Sequence, residues 1–131
     1  MATIFTKIIN DEIPAYKIAE TEKFLAFLDI APLKEGHTLV IIKEEIDYIF
    51  DIQDEVLAEM MVFAKKVGIA LEKSIPCKRI GIVVVGLEVP HAHIHLVPID
   101  SVHDLNFLNS RKILSPERYK ELSTSIINYI A

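Results

Sequence analysis

His91-Ala92-His93-Ile94-His95-Leu96-Val97-Pro98 alternates imidazole and apolar side chains with a period of two. Side chains along an extended strand project alternately to opposite faces, so His91, His93 and His95 share one face while Ala92, Ile94 and Leu96 share the other. One face carries chemistry and the other joins a core. Same-face neighbours in a strand are about 6.5 to 7 Å apart, close enough for three imidazoles to surround one anionic group. Three of the chain's five histidines fall in this stretch.

Upstream of it, Ile80 to Val85 is a nearly continuous apolar run closed by Gly86, which predicts a strand covered on both faces. Before that the period changes. Val56, Met60, Phe63, Val67 and Leu71 recur at three- and four-residue steps, widened by Leu57 and Ala64, so Asp51 to Ser74 reads as one long amphipathic helix. Asp51 is the expected N-cap, and Pro76 stops any continuation. Further upstream, a short helix over Thr3 to Asn10 precedes extended segments at Tyr16 to Ala19, Phe24 to Leu28 and Thr38 to Ile42. A turn over Pro32 to Gly36 leads into the last of these. Downstream, Ser115-Pro116 opens a final helix over about 116–130, with Tyr119, Leu122, Ile126 and Ile130 on its inner side. The expected fold is α+β: about five mostly antiparallel strands with one long and one C-terminal helix, in a single domain over residues 1–131.

The 131 residues are 51% hydrophobic and 25% charged, a globular balance. At that length a core forms without disulfides or a structural metal. Cys77 is the one cysteine and is read as structural. A lone thiol, an N-terminus without a secretory pattern and the lack of an apolar run of membrane-spanning length make the cytoplasm the expected location, with no membrane partner. The formal charge of -5, with scattered Lys and Arg, argues against a nucleic-acid polymer as partner. A single nucleotide is still compatible, since a few local groups hold it.

Three readings of the histidine face stand side by side: an inert surface stripe, a metal site and a catalytic cluster. A metal site needs imidazoles converging at about 2.0 to 2.1 Å from one ion. Spacing of i, i+2, i+4 is loose for that, and no neighbouring Cys, Asp or Glu ligand is evident, although His37 or an acid would complete a shell. No cofactor and no functional metal are expected, while adventitious zinc at the triad is compatible with the pattern.

The run from His91 to Val97 resembles the histidine-triad (HIT) signature, in which three histidines alternate with apolar residues, at every position. Ile4-Phe5-Thr6-Lys7-Ile8-Ile9 with Glu12-Ile13-Pro14 resembles the opening of the family's Hint-like branch. Phe27-Leu28-Asp29-Ile30-Ala31-Pro32, followed by Gly36-His37-Thr38-Leu39-Val40-Ile41, resembles that branch's second signature. The resemblance implies a hydrolase or transferase that cleaves a P–N or P–O bond at the α-phosphate of a purine nucleoside 5′-conjugate. It implies His93 as the nucleophile of a covalent nucleotidyl-histidine, His95 beside the phosphate oxygens and leaving group, His91 orienting the nucleophile, and His37 near the same cluster. It implies a base pocket of Ile4, Phe5, Ile8, Ile13, Phe27 and Ile30, with Asp29 accepting from the ribose hydroxyls, and a homodimer joined through the long helix and the strand before the triad. A nucleotide-binding module with little turnover and a metal-binding histidine protein are the alternatives. The chain departs from the family at Gly86-Leu87-Glu88, where relatives usually carry Gly-Gln-Ser or Gly-Gln-Thr, and at Ile99, where many have arginine. Strand parity places Glu88 opposite the histidines.

Overall fold

A computed structural model describes residues 2–130. Thr3 caps the first helix, α1 (Ile4–Ile9), by accepting from the amides of Phe5 and Thr6, and Asn10 ends it. Strands β1 (Lys17–Glu20), β2 (Phe24–Leu28) and β3 (Thr38–Ile42) follow, then helix α2 (Asp54–Ser74), strands β4 (Arg79–Val83) and β5 (His93–Ile99), and helix α3 (Pro116–Ile127). The sheet is five-stranded and open, in the order β1-β2-β3-β5-β4, with every neighbouring pair antiparallel. The α+β expectation therefore holds in class, strand count and orientation.

The alternation read in the histidine strand partitions the protein into two layers. Ala92, Ile94 and Leu96 join the main core with Val40 and Ile42, beneath Met60, Val67 and Leu71 of α2 and Tyr119, Leu122 and Ile126 of α3. On the opposite face Leu25, Phe27, Leu39 and Ile41 pack against Phe5 and Ile8 of α1 in a smaller cluster. The histidines lie on this second face. Gly36 positions one of them: its φ of 91° lies in the left-handed region, and a Cβ there would collide with the Ile75 side chain, so glycine makes the turn that delivers His37 to β3.

Three sequence expectations are corrected. Asp51 does not cap α2; it belongs to a 3₁₀ turn, Ile49–Asp51, and α2 starts at Asp54 behind Gln53, which makes no side-chain cap. The apolar run Ile80 to Val85 is not covered on both faces: β4 stops at Val83 at the sheet's edge, and Ile82 is 52% exposed. The C-terminal helix ends at Ile127, one turn short of the expected end, although Ile130 still packs against the main core.

Candidate functional site

The register of the central strands builds the site. Pairing of β3 with β5 sets Leu39 opposite His95 and Ile41 opposite His93, and pairing of β2 with β3 sets Leu28 opposite Thr38. Asp29 at the end of β2, His37 at the start of β3 and His95 in β5 thereby converge from three chain segments. His37, His91, His93 and His95 are all buried, so the histidine face is not an exposed surface stripe. The Phe5 ring stands edge-on to His93 at 5.0 Å and to His91 at 5.7 Å, and the Phe107 ring stands edge-on to His95 at 4.8 Å.

At least one nitrogen of each ring has a partner that fixes the tautomer, because a nitrogen facing a carbonyl must be N–H and one facing an amide must be a lone pair. His91 Nε2–H donates to the Ile42 carbonyl at 2.6 Å. The Thr3 hydroxyl, already accepting two backbone amides, donates to His91 Nδ1 at 3.2 Å. His93 Nδ1–H donates to the His91 carbonyl at 2.6 Å, which leaves the Nε2 lone pair free. His37 Nδ1 accepts from the Leu33 amide at 3.0 Å, so its Nε2–H donates to His95 Nδ1 at 2.9 Å. His95 Nε2 is then the protonated nitrogen.

Burial favours the neutral form of His37, His93 and His95. It lowers His93 below its ordinary value, holds His37 at about 4 despite the nearby Asp29 carboxylate, and holds His95 at about 3. His93 and His95, with ring centroids 4.8 Å apart, thus present a free lone pair beside a ring carrying N–H.

The remaining sequence candidates divide. Phe5, Ile8 and Phe27 are buried together with Ile13 packed against them, whereas Ile4 and Ile30 are exposed, Ile30 by 72%. Asp29 accepts the Ala31 amide on one oxygen at 2.8 Å and places the other 3.6 Å from His37 Nε2. Ligand atoms of Asp29, His37 and His95 all lie within 4.8 Å of one another. The sequence showed no acid near the triad; the sheet supplies one, and this nitrogen and oxygen set suits a divalent cation such as zinc. An ion there would have to displace the His37–His95 hydrogen bond. Glu88, expected opposite the histidines, instead sits in the segment after β4 and reaches Arg111 at 3.4 Å.

Sequence reading missed Thr3, Phe107 and Arg111. Thr3 carried a capping signal but nothing that tied it to His91. Phe107 and Arg111 belong to an aperiodic stretch between β5 and α3, where no local pattern signals a role. His103 and Asp104, given no chemistry from the sequence, lie in the 3₁₀ turn Val102–Leu105, where the Asp104 carboxylate accepts the amides of Asp100 and Ser101.

The HIT domain profile matches residues 10–102. The chain belongs to the HIT family. A HIT-like protein of Borreliella burgdorferi is 38% identical over 131 residues, covering 94% of each chain. The adenosine 5′-monophosphoramidase hnt1 of Schizosaccharomyces pombe is 35% identical, with 99% of each chain covered. Among solved structures, a Zn-bound histidine triad family protein from Mycobacterium smegmatis superposes with a TM-score of 0.81 at 29% identity, over 98% of this chain and 95% of that one. In this HIT-family chain no helix of the described residues is long and apolar enough to cross a membrane.

Proposed function

We propose that the chain hydrolyses purine nucleoside 5′-conjugates at the α-phosphate through a covalent nucleotidyl-histidine. The observation that carries this reading is the pair of opposite tautomers, His93 with a free Nε2 lone pair and His95 with an Nε2 proton. Family membership and the phosphoramidase activity named for the S. pombe relative support it.

In the first step the His93 Nε2 lone pair attacks phosphorus, a P–N(imidazole) bond forms, and the bond to the leaving group breaks as that group takes a proton from solvent, while the His95 Nε2–H donates a hydrogen bond to a phosphate oxygen. His93 becomes an N-phosphorylated imidazolium, and its Nδ1–H bond to the His91 carbonyl strengthens as the charge appears. In the second step water attacks phosphorus, the P–N bond to His93 breaks, the water's proton passes to solvent, and the monophosphate leaves with neutral His93. His91 acts as a positioning residue through its carbonyl and its own anchors on Ile42 and Thr3. His37 holds the His95 tautomer. Asp29 takes the ribose hydroxyls, and Ile4, Phe5, Ile8, Ile13, Phe27 and Ile30 take the base, which requires their cluster to open around the ring.

Zinc at Asp29, His37 and His95 would be adventitious, binding at the expense of the tautomer relay. A binding module with little turnover is favoured by one feature, the apolar Leu87 and acidic Glu88 where relatives carry an amide and a hydroxyl. A cytoplasmic setting suits Cys77, whose thiol burial pushes up and so keeps protonated. Assembly as a homodimer is supported by the unpaired edge at β4 and by Ile82, Val62 and Ile69, which leave apolar side chains of β4 and α2 in solvent. Sedimentation at micromolar concentration should give a dimer.

Incubation with adenosine 5′-phosphoramidate, metal-free and then with added zinc, tests the function. Release of AMP without metal, with a trapped nucleotidyl-protein that disappears in His93→Ala, is the expected result. Tight AMP binding without product would favour the module, and turnover only with zinc would favour a metal enzyme.

A further inference from the structure

We propose that Arg111 is the cation that pairs with the phosphate charge of a nucleotide held at the histidine cluster, and that residues 106–111 carry it there as a lid. The proposal rests on the nucleotide reading above and extends it to a segment outside the matched residues 10–102.

A phosphate placed among these histidines meets neutral rings and the Asp29 carboxylate, a poor setting for a second negative charge in a partly dry site. Arg111 is a cation whose field reaches both His37 and His95. Its guanidinium lies 5.5 Å from the Phe107 ring centroid, and that ring packs edge-on against His95 at 4.8 Å and His37 at 6.3 Å. Cation and cover are therefore one unit over the His95 end of the cluster.

Its present partners are exchangeable. One guanidinium nitrogen donates to the Ala31 carbonyl at 2.6 Å, two residues from Asp29, which keeps the side chain beside the site. Another reaches Glu88 at 3.4 Å, and the Glu88 side chain is 72% exposed. An exposed pair of that kind contributes little, so a phosphate with two oxygens for the planar fork displaces it readily.

The segment is also lightly anchored. Its own turns close through Asn109 N to Asn106 O and Leu108 N to Asn106 Oδ1, Asn106 N and Asn109 Nδ2 donate to the His103 carbonyl, and Lys112 N ties the segment to the Pro32 carbonyl. Leu108 is 94% exposed. With Phe107 half-buried and none of residues 106–111 fully buried, the segment opens at low cost compared with the sheet beneath it.

Calorimetric binding of adenosine, AMP and ADP to the full chain and to its Arg111→Gln and Arg111→Lys variants tests the proposal. Arg111→Gln should weaken AMP or ADP by roughly 10- to 100-fold while leaving adenosine unchanged. Arg111→Lys, which keeps a point charge, should recover part of that loss. A loss already present with AMP assigns the pairing to the α-phosphate, and a loss with ADP alone assigns it to the leaving group. Unchanged nucleotide binding in Arg111→Gln, or equal losses for adenosine and the nucleotides, would overturn the proposal while the nucleotide reading stands. A wild-type protein that binds none of the three overturns that reading, and the proposal with it.

Discussion

Ile94 and His95 are neighbours in β5 and both are buried, yet they are held in different ways. Ile94 lies among Val40, Val67, Leu71 and the other apolar residues of the main core, where any side chain of similar shape and volume would serve. His95 sits on the smaller layer, where its Nδ1 accepts a proton donated by His37, which in turn is set by the Leu33 amide. Packing decides one face and proton placement decides the other. A single strand therefore separates the groups that hold the fold from the groups expected to react, and substitutions on its two faces should separate stability from turnover.

The largest expected effect is on chemistry. His93→Ala should lower phosphoramidate turnover on the order of 10⁴-fold or more, as loss of a covalent nucleophile does. Because His93 is buried beneath Phe5, the same change also leaves a small cavity and an unpaired His91 carbonyl, costing about 1 to 3 kcal/mol. Ile94→Ala reverses the proportion: it should cost about 2 to 5 kcal/mol in denaturant unfolding, while turnover of the fraction that stays folded changes by less than about tenfold. Turnover lost in Ile94→Ala to the same degree as in His93→Ala would erase the distinction between the faces.

Acid should act on the histidine face in particular. His37 and His95 titrate at about 4 and about 3 in the folded chain, against 6.5 when unfolded, so between those limits the unfolded chain binds more protons. Their contribution to stability is thus fully present above pH 6.5 and is lost as pH falls toward 4 and 3. The slope is up to about 1.4 kcal/mol per pH unit for each ring. Thermal melts from pH 7 to 5 should show the midpoint falling, with a shallower fall in His95→Asn and an unchanged slope in Ile94→Ala. Equal slopes in all three proteins would mean that these rings carry no linked protons.

Much of this contrast was legible in the sequence because β5 writes it at period two, and the apolar period of α2 announced the layer that covers one face. What the pattern left out is tertiary. An apolar run such as Ile80 to Val85 reads the same whether its cover is the chain's own core or a second copy, and here the exposed Ile82 lies at the edge. Asp51 carries a good capping side chain, but its backbone belongs to a 3₁₀ turn and the helix start moves by two residues. Asp29 beside His37 and His95 depends on the register of three strands. Arg111 and Phe107 come from a stretch with no periodicity to read.

The segment from Gly86 to Val89 is where the histidine face is open to change at least cost to the core, and it carries the smallest expected effect. Leu87 is 89% exposed, so replacing it removes little burial. It also lines, with His93, Gly86, Val85 and Phe50, a cavity of about 680 Å³, which brings residue 87 to the edge of the proposed nucleophile. An amide there would act on charge that builds at phosphorus, whereas the proposed contacts of Asp29 and the proposed base pocket would act equally before and during the reaction. Leu87→Gln should therefore raise the maximal rate by about 10- to 1,000-fold and tighten substrate binding far less. Glu88 bears on the size of the gain, because its charge stays near the phosphate until Arg111 exchanges partners. Adding Glu88→Ser should increase the single-turnover rate further, with unfolding midpoints close to wild type in both variants. A chemical rate unchanged in both would show that phosphate is held by other groups at this face, and Arg111 would then be the residue to combine with them.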